Sequence, residues 1–401
     1  MRTSSDIGSH TKEAERDKLS TYYIKADEFF FPNDVKKGGY LEVTDGKFGN
    51  YTTEKPDGEI VDYSDSWILP GLVETHIHGY LGHDVMDADP EGIRAMSKGL
   101  VSAGVTSFLP TTLTASEEQL TKAAEVVAEE ADKVTGAKIQ GIFFEGPFFT
   151  EEHKGAQNPK YFGNPSVEKF DRWQEASKGL IRKIAIAPER DDTIPFVTEM
   201  SRRGVKVALG HSSATCAQAK KAVDAGASVF VHTYNGMSGL NHREPGMVGA
   251  ALTSDDAYAE IICDGHHVDP NAIDVVVRAK GPERTVLISD CMRAGGMPDG
   301  DYTLGEFPVR VENGAARLTS PGHSLAGSIL RLEQAVQNVV SWNIATAADA
   351  VRMASETAAE SAGIADRCGS IRPGRDADFI VVTPELQLEA TYVDGIEKYK
   401  A

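Results

Sequence analysis

The chain has 401 residues, 41% of them hydrophobic and 25% charged, which suits a globular protein of one large domain with an attachment or of two to three average ones. Asp and Glu outnumber Lys and Arg by 60 to 41, a formal net charge of −19, so the field of the whole molecule repels nucleic acid and anionic membrane surfaces and argues against either as a partner. Cys216, Cys263, Cys291 and Cys368 are too scattered for a C-x-x-C thiolate site or a disulfide framework, which fits a reducing cytoplasm.

Residues 1–20 mix charges with small polar residues, lack the apolar stretch of a secretory signal and are expected to form a loosely ordered tail. No run of 18 apolar residues occurs anywhere, so no membrane-spanning helix is expected. Residues 21–66 carry short alternating segments, with a turn signal at Asp45-Gly46, and residues 371–401 close the chain in the same style. Neither flank alone has enough strands to bury a sheet face, so the two are expected to pair into one small β-sandwich domain built from both chain ends.

Between them, over residues 67–370, short apolar runs alternate with helical stretches. The runs are 67–78, 105–111, 138–149, 183–189, 205–213, 228–235, 259–265 and 285–292. Helices are expected between them, for example at 116–134, where Ser116 and Gln119 have capping-box spacing, and at 215–225. Eight strands separated by helices predict an α/β fold, a closed (β/α)8 TIM barrel, which takes about 250 residues. After the eighth run, 307–318 reads as a hairpin turning at Asn313-Gly314, and 329–363 returns to helical pattern.

Polar residues interrupt the runs mainly toward their ends. His76 and His78 end the first, Glu145 lies late in the third, His211 late in the fifth and His232 in the sixth; Asp264 with His266 and His267 ends the seventh, and Asp290 ends the eighth. On a strand His76 and His78 project from the same side and could share one ion; on a helix they would stand about 200° apart. In a parallel barrel the strand ends converge on one rim, where the fold places its active sites. Imidazoles and carboxylates without thiolates fit a catalytic divalent cation better than a closed structural zinc. The chemistry they suit is hydrolysis, with Asp290 as the carboxylate that takes a proton from water and passes it to a leaving nitrogen.

The segments PGLVETHIHG, EGPFF, KGAQNP, GHSSA, HTYNGMSGLNHREPG, CDGHHVDP, SDCMRAGGMPDGDY and LAGSIL, in that order, resemble the N-acetylglucosamine-6-phosphate deacetylases of the amidohydrolase superfamily, from about residue 22 to the C-terminus. The resemblance implies removal of acetate from N-acetylglucosamine 6-phosphate in amino-sugar metabolism. It implies one or two divalent ions per subunit, zinc first, with iron, manganese or cobalt as alternatives. Glu145, His211 and His232 would hold the main ion; His76 and His78 a second, bridged by Glu145 and touched by Asp290. Arg243 and His267 would contact the phosphate, with Arg243 reaching in from the neighbouring subunit of a homodimer. Asn235, Gly236, Leu325, Ala326, Gly327 and Ala156 fall at positions that line the sugar site. Gln157 stands where many relatives have a histidine that helps polarise the acetyl carbonyl; glutamine can donate a neutral hydrogen bond there but cannot become cationic. An N-acetylgalactosamine-6-phosphate deacetylase, a cyclic-amide hydrolase, a deaminase and a barrel that has lost its chemistry are the competing readings.

Overall fold

The computed structural model describes residues 21–401; the expected tail, 1–20, lies outside the described residues. Gly71 divides the apolar run 67–78 between two sheets, Glu59–Pro70 belonging to the small sheet and Leu72–Ile77 to the barrel. A Cβ on Gly71 would collide with the Thr106 side chain, so the crossing passes the second barrel strand only without a side chain.

The small sheet draws on both chain ends. Its strands lie in the order Ile396–Lys400, Leu388–Val393, Phe379–Val382, Glu59–Pro70, Tyr22–Phe31, Tyr40–Thr44, Lys47–Thr52, with Asp34–Lys37 beside Tyr22–Phe31. Phe379 pairs antiparallel with Pro70, and Tyr22 parallel with Glu59. The sheet folds over itself: Lys47 bridges Asp376, and the Phe48 ring lies 6.1 Å from that of Phe379, over a core of Ile24, Phe29, Leu41 and Ile68.

The barrel is a parallel sheet of Leu72–Ile77, Val105–Thr112, Ile142–Phe148, Ile181–Ile186, Lys206–Leu209, Val229–Phe230, Tyr258–Ile262 and Thr285–Ile288, in chain order. The first three are buried along their whole length, as strands under a ring of helices are. The ends meet where Ile77 pairs with Cys291 and the Asp290 N–H donates to His76 O at 3.0 Å. The sixth strand is much shorter than the run 228–235, because His232 and Tyr234, at φ 30° and 81°, turn the backbone out of the sheet.

The capping signals act as expected. Ser116 Oγ accepts from the Gln119 N–H, and Gln119 Oε1 from the Ser116 N–H, opening Glu117–Glu130; Thr215 and Gln218 do the same for Cys216–Asp224. Asn313 and Gly314 hold φ of 53° and 79°, the backbone a two-residue hairpin turn needs. That hairpin gains a third strand, Gly300–Leu304, and the resulting meander packs Leu304, Val309 and Val311 onto Leu113, Ala156 and Met292, roofing part of the rim. Residues 329–363 resolve into Leu332–Ser341, Ala347–Met353 and Glu356–Ala362. Among the described residues no helix is long and apolar enough to cross a membrane.

Candidate active site

At the rim, six of the predicted side chains meet: four imidazoles surround the Glu145 carboxylate, and two of them also face Asp290. Glu145 Oε1 lies 3.0 Å from His232 Nε2, 3.2 Å from His211 Nε2 and 3.5 Å from His76 Nε2, while its Oε2 lies 3.2 Å from His78 Nε2. Asp290 Oδ1 stands 3.3 Å from His78 Nε2 and 3.6 Å from His76 Nε2. Two overlapping triplets result, His76 with Glu145 and His232, and His76 with His78 and Asp290, each with its ligand atoms within 4.8 Å of one another. Donor atoms of a tetrahedral zinc, bonded at about 2.0–2.1 Å, stand about 3.4 Å apart. The observed separations bracket that value.

The four imidazoles are aimed by their other nitrogens. His78 Nδ1 faces Thr111 O at 3.2 Å, His211 Nδ1 faces His153 O at 2.9 Å, His232 Nδ1 faces Asn235 O at 3.0 Å, and His76 Nδ1 faces Glu260 Oε2 at 3.0 Å. A carbonyl or carboxylate only accepts, so each ring keeps a proton on Nδ1 and turns Nε2 inward, the orientation found around bound metals. His76 Nε2 is buried with no hydrogen-bond partner.

The electrostatics ask for positive charge in the same place. Burial disfavours a charged His76, yet the Asp290 and Glu145 carboxylates push it up to about 9, and the same carboxylates raise His78 well above the usual histidine range against its own burial. Burial likewise opposes ionisation of Glu145 and Asp290, but the facing imidazoles hold both below the usual carboxylate range. Two buried anions that draw protons onto the facing Nε2 atoms mark a place for positive charge, which a divalent cation would supply in exchange for those protons.

The cluster forms the floor of a cleft of about 330 Å³, lined also by Leu113, Ala156, Gln157, Asn235, Gly236, His267, Leu325 and Gly327. Gln157 Oε1 accepts from the Thr114 N–H at 3.0 Å, which turns its amide nitrogen to donate to Glu145 Oε2 at 2.6 Å and leaves one N–H uncommitted. His267 is fixed by Asp264, whose Oδ2 lies 2.7 Å from Nδ1. Asn235 Nδ2 is buried without a partner. Ala326 is buried with Met292 and Leu304 and does not line the cleft; Arg243 is exposed on the loop between Ser238 and Pro245 and does not line it either. A second cleft, about 370 Å³, lies between the small sheet and the helices after residue 346, and none of the predicted site residues lines it.

Four residues that hold this geometry went unread in the sequence. Glu74 accepts from the His76 and Ser289 N–H groups, tying the first strand to the last. Glu189 accepts from Thr150, Ser212 and the Ser213 N–H, bracing the loops around His211. Lys183 and Glu260 pair inside the barrel behind His76. For Glu74, Lys183 and Glu260 the signal was a charged residue within a strand of a fully covered parallel sheet, which is rare; Glu189, in the turn after Ile181–Ile186, carried no such signal.

The family model for the amidohydrolase family matches residues 67–397. The chain belongs to the amidohydrolase family. This amidohydrolase is 43% identical over 329 residues to the N-acetylglucosamine-6-phosphate deacetylase of Vibrio furnissii, covering 82% of each chain. It is 40% identical to the N-acetylgalactosamine-6-phosphate deacetylase of Escherichia coli O157:H7, covering 82% of itself and 86% of the relative. Among solved structures, a mutant N-acetyl-D-glucosamine-6-phosphate deacetylase of Mycobacterium smegmatis, in complex with N-acetyl-D-glucosamine-6-phosphate, superposes with a TM-score of 0.89 at 29% identity, covering 95% of this amidohydrolase and 100% of that chain.

Proposed function

We propose that this amidohydrolase cleaves the acetamido bond of N-acetylglucosamine 6-phosphate, giving acetate and glucosamine 6-phosphate. The observation that carries the reading is the set of four imidazole Nε2 atoms facing Glu145 and Asp290 on the floor of the cleft. Relatives of 43% and 40% identity named for such deacetylations supply the substrate class.

Glu145, His211 and His232 would hold one divalent ion, and His76, His78 and Asp290, with Glu145 between, a second; zinc suits this nitrogen and oxygen donor set. A divalent ion supplies positive charge that acidifies water and polarises the acetyl oxygen. Asp290, whose Oδ1 faces His78 and His76 at the cleft floor, would enter as the carboxylate and take a proton from the attacking water as the oxygen bonds to the acetyl carbon. The same carboxyl then delivers that proton to the sugar nitrogen as the C–N bond breaks, so acetate and the free amine leave and Asp290 is ionised again. Gln157, its oxygen tied to Thr114, offers its uncommitted N–H to the cleft.

The phosphate requires cations, and no Lys or Arg lines the cleft among the described residues. His267 offers one donor, held in place by Asp264. We assign the missing charge to Arg243 of a second copy, on a loop where Leu240 is 53% exposed, which makes the working form a homodimer. All four cysteines are free, three of them buried, in keeping with a cytoplasmic setting.

Acetate release from N-acetylglucosamine 6-phosphate, N-acetylgalactosamine 6-phosphate and unphosphorylated N-acetylglucosamine tests the reading. The first is expected to be hydrolysed with the highest kcat/KM. A higher value for the galactosamine epimer would favour the second reading that the 40% identical relative supports. Equal rates without the phosphate would remove the role of Arg243.

A further inference from the structure

His76 differs from the other three imidazoles in what stands behind it. Backbone carbonyls orient His78, His211 and His232, whereas His76 Nδ1 meets a carboxylate, Glu260 Oε2, at 3.0 Å. The other oxygen of Glu260 is paired with Lys183, whose Nζ also donates to Thr75 O at 3.0 Å and lies 3.8 Å from the centre of the Phe143 ring. Lys183, Glu260 and His76 are each fully buried. A buried ion pair is often no more stabilising than an apolar pair of the same bulk, so its presence inside a barrel calls for another use.

We propose that Lys183 and Glu260 are positioning residues that fix the Nδ1–H tautomer of His76 and so keep its Nε2 open to the second cation. Lys183 orients the carboxylate, and the carboxylate, able only to accept, holds the ring proton on the far side from Asp290 and Glu145. The inference rests on the two-ion reading above and adds the device on which the second seat depends. Neither Lys183 nor the Glu260 carboxylate hydrogen-bonds Glu145, His211 or His232; the pair reaches the first seat only through His76 and through the Thr233 N–H, which donates to the Glu260 backbone oxygen at 2.7 Å, so the second seat is the one it controls directly.

In Glu260→Gln the amide must turn its oxygen to the Lys183 ammonium, which has only protons to give; its NH2 then faces His76 Nδ1, and the ring proton moves to Nε2, closing the second seat. Adding Lys183→Met frees the amide to turn its oxygen back to His76, and the seat reopens. Zinc equivalents per chain, measured by elemental analysis at buffered free zinc, read this directly. Wild type is expected to bind two ions, Glu260→Gln one, with second-site affinity down by about 10–100-fold, and the double variant to recover most of that loss.

Retention of both ions by Glu260→Gln, or a double variant no better than the single one, would overturn the inference. Equal loss of both ions from a Glu260→Gln chain that keeps its wild-type circular dichroism would do so too. Should Glu260→Gln not fold, Lys183→Met with Glu260→Leu leaves His76 without its carboxylate in an apolar setting and is expected to bind one ion; two would refute the proposal. A wild-type chain that takes up no second ion would instead sink the two-ion reading itself.

Discussion

His211, His232 and Asp290 each sit two residues past a barrel strand, at φ of 44°, 30° and 50°. Left-handed backbone at a residue other than glycine costs of order 1–3 kcal/mol, and it persists where surrounding contacts over-determine it. Here it aims three side chains, from the ends of the fifth, sixth and eighth barrel strands, at one point. Asparagine tolerates that backbone well, so Asp290→Asn is expected to fold and to keep its metal while acetate release falls by about 10³-fold. Activity near wild type would remove Asp290 as the base. The buried, unpartnered Asn235 Nδ2 forecasts a substrate contact, and since His232 is held by the Asn235 backbone oxygen, Asn235→Ala leaves that support intact. Its KM is expected to rise about tenfold with kcat little changed, the loss of one hydrogen bond from a buried donor. The metal-binding candidates were legible as polar residues near the ends of apolar runs. The backbone oxygens that orient them, of Thr111, His153 and Asn235, leave no trace in sequence because every residue type carries one.

Short-range chemistry made the elements legible. Ser116 with Gln119, Thr215 with Gln218, and Asn313-Gly314 all specify their caps and turn locally, and the structure uses each one. The division of the run 67–78 at Gly71 was not legible, since it is set by Thr106 on a strand more than thirty residues away. Gly71→Ala is expected to destabilise the fold by about 1–3 kcal/mol in denaturant unfolding, with part recovered by adding Thr106→Ala. No loss of stability would mean that the crossing has room to spare. Where the closing sheet meets the barrel, Lys138 joins Asp376, Asp378 and Asp394. Burial pushes Asp378 up to about 6, against the pull of Lys138. The folded state therefore binds its proton more tightly than the unfolded chain, and stability relative to Asp378→Asn should fall as pH rises from about 4 to about 6 and be level above. A difference independent of pH across that window would contradict the burial of this carboxyl.

At the scale of the whole molecule, no Lys or Arg lines the cleft among the described residues. A net charge of −19 surrounds a cleft lined by carboxylates and imidazoles, yet the proposed substrate is a phosphate ester. The eightfold alternation of runs and helices made the barrel readable, because each βα unit repeats the same local pattern. The source of positive charge was not readable from spacing, since the Arg243 loop lies outside the cleft of its own chain. Arg243→Ala is expected to raise KM for the phosphorylated sugar by about tenfold or more, and mixed dimers of Arg243→Ala with Asp290→Asn to regain one intact site, up to half the activity of the wild-type dimer. No complementation would place the phosphate contact within a single chain. The account stands most directly on the cation. Purified protein stripped with a chelator is expected to keep its fold, lose acetate release, and recover it on adding one to two equivalents of a divalent metal per chain; a metal-free protein with undiminished turnover would contradict it.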